Sequence, residues 1–174
     1  MVGAACFAAG LMSFEFISFH LSSHRTASDQ WIPLLLGVAT GFGVIANLVL
    51  GRLYDRWSAT GTMVGAVMLS ALFSPLVFLG GFAVALAGLL LWGVGYAVQD
   101  TLFKAVVADR LPEGRRNFAF GIFYTGYGGG WLIGSIVTGL LYQVSVVGVI
   151  AFSMAVQLGS IPLFLLARHK ESTT

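Results

Sequence analysis

Long apolar stretches divide the chain, and polar side chains are confined mostly to the short intervals between them. The stretches cover residues 2–21, 31–50, 62–79, 82–107, 118–142 and 145–166. Each is near the ~20 residues that a membrane-spanning helix needs. The pattern predicts six transmembrane helices, joined by residues 22–30, 51–61, 80–81, 108–117 and 143–144. Connections this short place consecutive helices side by side and antiparallel. The spans consume most of the chain, so 1–174 reads as a single all-α transmembrane domain with a polar tail at 167–174. The first stretch follows no basic segment and carries Glu15, which marks a span rather than a cleaved leader.

Composition narrows the class. Only 9% of residues are charged and 57% are hydrophobic, whereas soluble domains average about 25% charged. That excludes a soluble enzyme with a solvated surface, and it excludes intrinsic disorder. The single cysteine, Cys6, rules out an internal disulfide framework and a cysteine-rich metal site. It reads as a small buried hydrophobe. The net charge of +2 gives no reason to expect a nucleic-acid partner.

The basic residues predict an orientation. Arg52 and Arg56 follow span 2, and Lys104, Arg110, Arg115 and Arg116 lie at the end of span 4 or before span 5. Arg168 and Lys170 follow span 6. In a six-span topology all of these fall on one side, and Arg25 alone falls on the other. Basic connections stay in the cytoplasm, so both termini are expected inside, in a plasma or inner membrane.

The sequence also repeats. A displacement of 88 positions sets Gly41, Ile45, Val49, Gly51, Leu53 and Tyr54 onto Gly129, Ile133, Val137, Gly139, Leu141 and Tyr142, with identity at every pair. Spans 2 and 5 cross in opposite senses. This is the trace of an inverted 3+3 repeat, a device of secondary transporters, with 1–81 and 82–166 as its units. Chance matching in Gly- and Leu-rich sequence is the alternative, since only the Gly-x-Leu-Tyr core is specific.

Few side chains carry chemistry. Glu15 lies about 20 Å along span 1, just outside the midplane. A carboxylate there is costly and normally faces a cavity or a partner. It can carry a proton or bind substrate; the plainer role is a bond to a neighbouring helix. Asp100 and Lys104 stand one turn apart, acid first, as suits an ion pair near the inner interface. Gly126, Gly130 and Gly134 form a small-residue stripe for close helix packing. Tyr124, Tyr127 and Trp131 lie about 200° away on the same helix and suggest a cavity lining. Tyr124 is equally suited to an interfacial anchor. Thr40 and Asn47 share a face of span 2, and Trp92, Tyr96 and Gln99 share a face of span 4. Span 3 offers Ser70 and Ser74, and Gln157 on span 6 reads as a packing hydrogen bond. His20 and His24 read as solvated, because no third ligand has metal-site spacing. Asp55 sits past span 2 beside Arg52 and Arg56. It can reach the start of span 5 near Asn117, or Arg115 and Arg116, with help from the helix dipole; alternatively the arginines simply hold the loop inside. No catalytic triad, phosphate-binding glycine loop, cofactor motif or metal motif emerges, and Gly93-x-Gly95 reads as helix packing. The expectation is a protein that is not an enzyme and uses no cofactor.

The segment Gly51-Arg52-Leu53-Tyr54-Asp55-Arg56, followed by Trp57-Ser58-Ala59-Thr60-Gly61, resembles the loop motif of the major facilitator superfamily, between the second and third helices of a six-helix half. Residues 105–121, with Asp109, Pro112, Arg115, Arg116 and Gly121, look like the fourth-to-fifth connection of that family's C-terminal half. Residues 134–142 fit the end of its fifth helix. The resemblance covers spans 2 to 6. It departs from the family in having one half instead of two, and in lacking the basic pair that often ends the loop motif. It implies a half-unit that moves a small solute by alternating access against a second six-helix half. That half would be another copy, a separate chain or a missing part of a longer chain. It implies an inner gate made by Gly51, Arg52, Asp55, Arg56, Asp109, Arg115 and Arg116. It also makes spans 1, 2, 4 and 5 line the cavity, so that Glu15, Thr40, Asn47, Tyr96, Gln99, Tyr124 and Tyr127 border a substrate or proton path. A substrate-binding subunit of an energy-coupled importer and a non-transporting membrane scaffold are the competing readings.

Overall fold

The computed structural model describes residues 2–57, 59–105 and 116–169. Among these, all regular structure is helical. The elements are α1 (Val2–Gly10), α2 (Phe14–Ser23), α3 (Ile32–Arg56), α4 (Ala59–Ala71), α5 (Phe73–Leu79) and α6 (Phe82–Ala97). A π-helical turn, Val98–Phe103, continues α6, and α7 (Arg116–Val144) and α8 (Val146–His169) complete the bundle.

Local chemistry explains where these helices break. The first predicted span is not one helix. It stops at Gly10, a residue that destabilises helix interiors, and restarts after Ser13. The Ser13 backbone is extended, and its Oγ accepts from Phe16 N at 3.4 Å, an ordinary N-cap. The third predicted span bends at Leu72. Pro75 lies four residues after Ala71 and has no N–H to give its carbonyl. Pro33 sits in the first turn of α3, where a missing N–H costs nothing.

Among the described residues, five stretches are long and apolar enough to cross a membrane: Val2–Ser23, Ile32–Arg56, Thr60–Leu79, Phe82–Phe103 and Val146–Leu166. The fifth predicted span, 118–142, is not among these five. At 29 residues α7 has ample length, but its Gly, Tyr, Thr, Ser and Trp residues dilute its apolar character. It nonetheless packs into the bundle. Gly130 lies against the Ala5 carbonyl and Gly134 against the Ala9 carbonyl, so α7 rides directly on the α1 backbone. Gly126 is half-buried. On the other side, Gly43 of α3 meets Gly93 of α6, with the Gly93 backbone against the Ala39 carbonyl.

Burial along α3 and α7 runs in register. Leu35, Ala39, Ala46 and Leu50 are buried, and so are Phe123, Tyr127, Gly134 and Thr138, each 88 positions later. Val44, Ile45 and Leu48 are exposed, and so are Leu132, Ile133 and Ile136. Ile45 and Ile133 leave 58% and 63% of their surface uncovered. Each of these helices packs its small residues on a helix of the other sequence half and presents a wide apolar face outward.

A polar knot holds the far side. Gln157 is fully buried. It donates to the Gly10 carbonyl at 3.1 Å and to Ser153 Oγ at 3.2 Å, and it accepts from Ser70 Oγ at 3.0 Å. Ser153 Oγ also donates to the Gly10 carbonyl at 2.8 Å. Cys6 is only half-buried. His20 departs from the solvated expectation: it is 2% exposed, and its Nδ1 lies 2.9 Å from the Tyr142 hydroxyl. Its ring packs on Phe78 and His24.

The glycine contacts yield a paired expectation. A methyl group at Gly130 would overlap the Ala5 carbonyl, whereas nothing lies within 4 Å of the same group at Gly129. Gly130→Ala should lower the melting temperature in detergent, through overpacking of about 1–3 kcal/mol. Gly129→Ala should leave it unchanged or raise it by up to about 1 kcal/mol of helix propensity.

Candidate functional site

The wide turn after α6 gathers most of the polar side chains that the sequence singles out. A π-helical turn adds a residue to the helix and is often found at functional sites. Here it carries Gln99, Asp100 and Thr101. Gln99 Oε1 accepts from the Tyr127 hydroxyl of α7 at 2.7 Å. Asn47 Oδ1 of α3 accepts from Thr101 Oγ1 at 2.5 Å. Lys104 Nζ lies 3.1 Å from Asp100 Oδ1, with both side chains about half exposed. One turn of π-helix thus reaches the two helices that expose matching apolar faces.

A second strand of contacts joins this turn to the break in the first span. Trp92 Nε1 donates to the Met12 carbonyl at 2.8 Å, a group the break releases from helical bonding. The Trp92 ring packs on Tyr96 at 4.5 Å and on Phe14 at 5.8 Å. Tyr96 touches Trp131 of α7, which also packs on Tyr127. Tyr96 is half-buried, four residues before the exposed Asp100 of the π turn.

The sequence candidates take distinct places. Glu15 is exposed and sits in the first turn of α2, not midway along an unbroken helix. Its carboxylate lies near the positive pole of that short helix, a favourable position for an anion. Tyr96 and Gln99 are half-buried in the cluster, and Tyr127 is 3% exposed. Tyr127 is buried between α6 and α7, with Phe103 and Phe123 against its ring. It braces Gln99 and does not line an open wall. Tyr124 is exposed and lies within reach of the Lys104 ammonium. Thr40 is not drawn into the cluster. Its hydroxyl donates to the Leu36 and Gly37 carbonyls of its own helix.

The loop-motif residues end α3. Arg52, Asp55 and Arg56 are exposed in its last two turns, and a methyl group added at Gly51 would sit 4.0 Å from Thr101 Cγ2. Asp55 is therefore helical, not past the helix. Asp109 and Arg115 lie outside the described residues, as does the Arg116 side chain. Thr101 is the polar member that sequence reasoning missed. Its only signal was a position four residues before the flagged cluster's Ala105, too ordinary to single out.

The sequence profile of the Major Facilitator Superfamily matches residues 1–174. An uncharacterized protein of Mycobacterium tuberculosis is 28% identical over 159 residues, covering 91% of this chain and 39% of that protein. An uncharacterized protein of Mycobacterium bovis aligns with the same figures. An uncharacterized MFS-type transporter of Bacillus subtilis, YhjO, is 25% identical over 147 residues, 84% of this chain and 37% of that protein. The chain thus spans about two fifths of the length of the curated relatives it matches. No solved structure matches significantly.

The cluster separates two tyrosines. Tyr127→Phe leaves Gln99 without its donor and should cost about 0.5–1.5 kcal/mol. Tyr124→Phe, at an exposed position, should stay within about 0.5 kcal/mol of wild type. Thermal unfolding in detergent measures both.

Proposed function

Because the chain belongs to the Major Facilitator Superfamily, we propose that it is a six-helix half of a secondary transporter that moves a small solute by alternating access. The observation that carries this reading is the polar cluster on the π turn, where Gln99 bonds Tyr127, Thr101 bonds Asn47 and Asp100 pairs with Lys104, with the exposed carboxylate of Glu15 at the break in the first span. Ionisable groups in membrane spans are expensive and mark solute or proton paths.

In this reading α7 is the fifth of six spans; its 29 residues extend about 43 Å, more than a bilayer core requires. The matching burial registers of α3 and α7 support an inverted 3+3 repeat. A second six-helix half covers their outward apolar faces and closes the solute path. That half belongs to the same longer chain, to another copy or to a separate protein. Glu15 binds the solute or carries a coupling proton, and Asn47, Gln99 and the Tyr96 hydroxyl line the path beside it. Asp55, with Arg52 and Arg56, meets Asp109, Arg115 and Arg116 to close the inner side. Both termini are cytoplasmic, in a plasma or inner membrane, as the basic residues of the connections favour.

The test uses the whole transporter in liposomes, second half included. Glu15→Gln keeps size and hydrogen bonding but cannot ionise. If Glu15 carries the proton, uptake driven by a pH gradient should be abolished while counterflow exchange survives. If it only contacts solute, affinity should fall and the pH response persist. Uptake, affinity and pH response all at wild-type level would leave Glu15 a structural residue. Asp55→Asn should separately raise the reactivity of a cysteine on the inner part of α6 towards a cytoplasmic thiol probe. Equal labelling would remove the gate.

A further inference from the structure

We propose that the break between α1 and α2 is a sodium-binding site. A cavity of about 90 Å³ lies there, lined by Ala9, Leu11, Met12, Ser13, Gly134, Ser135 and Thr138, with Phe16 at its side. By the same measure one water needs roughly 10–15 Å³, so the cavity admits a small ion with part of its hydration. Three of its eight lining residues, Ser13, Ser135 and Thr138, carry hydroxyls. Thr138 is 3% exposed, and its hydroxyl is bonded to no described residue. Ser135, an exposed residue of α7, and the half-buried Ser13 at the break also line it.

The break supplies carbonyl oxygens too. In an unbroken helix the Ala9 carbonyl would accept from Ser13 N–H and the Leu11 carbonyl from Glu15 N–H. Neither bond forms. The Gly10 and Met12 carbonyls, by contrast, are taken by Ser153, Gln157 and Trp92. What remains is a set of neutral oxygens from two backbone groups and three hydroxyls. The C-terminal pole of α1 points into it and favours a cation.

The lining decides the class of ion. No carboxylate borders the cavity, and calcium and magnesium sites rely on carboxylates. An anion is disfavoured, because Glu15 already occupies the first turn of α2 and Ser13 takes the Phe16 N–H. Neutral carbonyls of an unwound segment with nearby hydroxyls suit a monovalent cation of sodium's size. The assignment of binding stands apart from the transport reading; only a role in coupling rests on it.

The experiment measures binding alone, on the purified protein in detergent. Sodium chloride replaces choline chloride at constant ionic strength, and thermal stability is followed with scintillation-proximity binding of radioactive sodium. Saturable stabilisation by sodium, absent with choline and weaker with potassium, is expected. Thr138→Val and Ser135→Ala should each weaken sodium binding by at least about tenfold, the loss of one charge-assisted contact. Thr125→Val, whose hydroxyl bonds the Gly121 carbonyl on an exposed part of the same helix, should keep the wild-type response. Equal stabilisation by potassium or choline, or an unchanged response in Thr138→Val that still binds radioactive sodium, would overturn the site. No saturable sodium binding to the wild-type protein, with proton-driven uptake intact, would overturn the sodium site and leave the transporter reading standing.

Discussion

The Gly10 carbonyl is the group on which the arrangement of the bundle depends. Where the first span breaks, that carbonyl loses the N–H of Phe14, and a hydrocarbon interior has no water to replace it. Ser153 and Gln157 take its place from α8, and Ser70 of α4 fixes the Gln157 amide in turn. One unmet backbone oxygen thereby ties the first, third and last predicted spans together. An unpaired buried carbonyl costs about 1–3 kcal/mol, so the break persists only where such partners exist.

Everything on the open side follows from that break. Ser13 becomes an N-cap, Glu15 enters the first turn of a new helix, and the freed Met12 carbonyl anchors Trp92. Trp92 then packs on Tyr96, which touches Trp131 of α7 one turn before Gln99 and Asp100. The glycine contacts set the scale of this construction. With Gly130 and Gly134 against α1, and Gly43 against Gly93, helix backbones come closer than any larger residue would permit. Side chains such as Asn47 and Tyr127 can then bridge neighbouring helices directly, without intervening water.

Much of this was legible in the sequence, for a physical reason. Span lengths, the Gly130 and Gly134 contacts and the spacing of Asp100 and Lys104 are local periodicities, and a helix turns such spacing directly into geometry. The break was half legible: Gly10 and Ser13, followed by Glu15, are the end and start signals of two helices, but the unbroken apolar run concealed them. The partners of Gln157 could not be read, because Gly10 and Ser70 are 147 and 87 positions away. The burial of His20 likewise depends on Tyr142, at 122 positions. The weaker apolar character of α7 has the same root as its packing: the glycines that let it approach α1 are those that dilute it.

The π turn has a consequence for the phase of α6. One extra residue in a helix retards all that follows by about 100°. A helical wheel drawn from Phe82 through Lys104 is therefore wrong after Ala97: the final part of this element presents to α3 and α7 a face that a regular helix would have turned elsewhere. The inserted residue acts as an offset written into the backbone. It lets the first part of α6 keep its small residues against α3 while the last part aims amide, hydroxyl and carboxylate groups sideways, two demands that no single helical phase can meet.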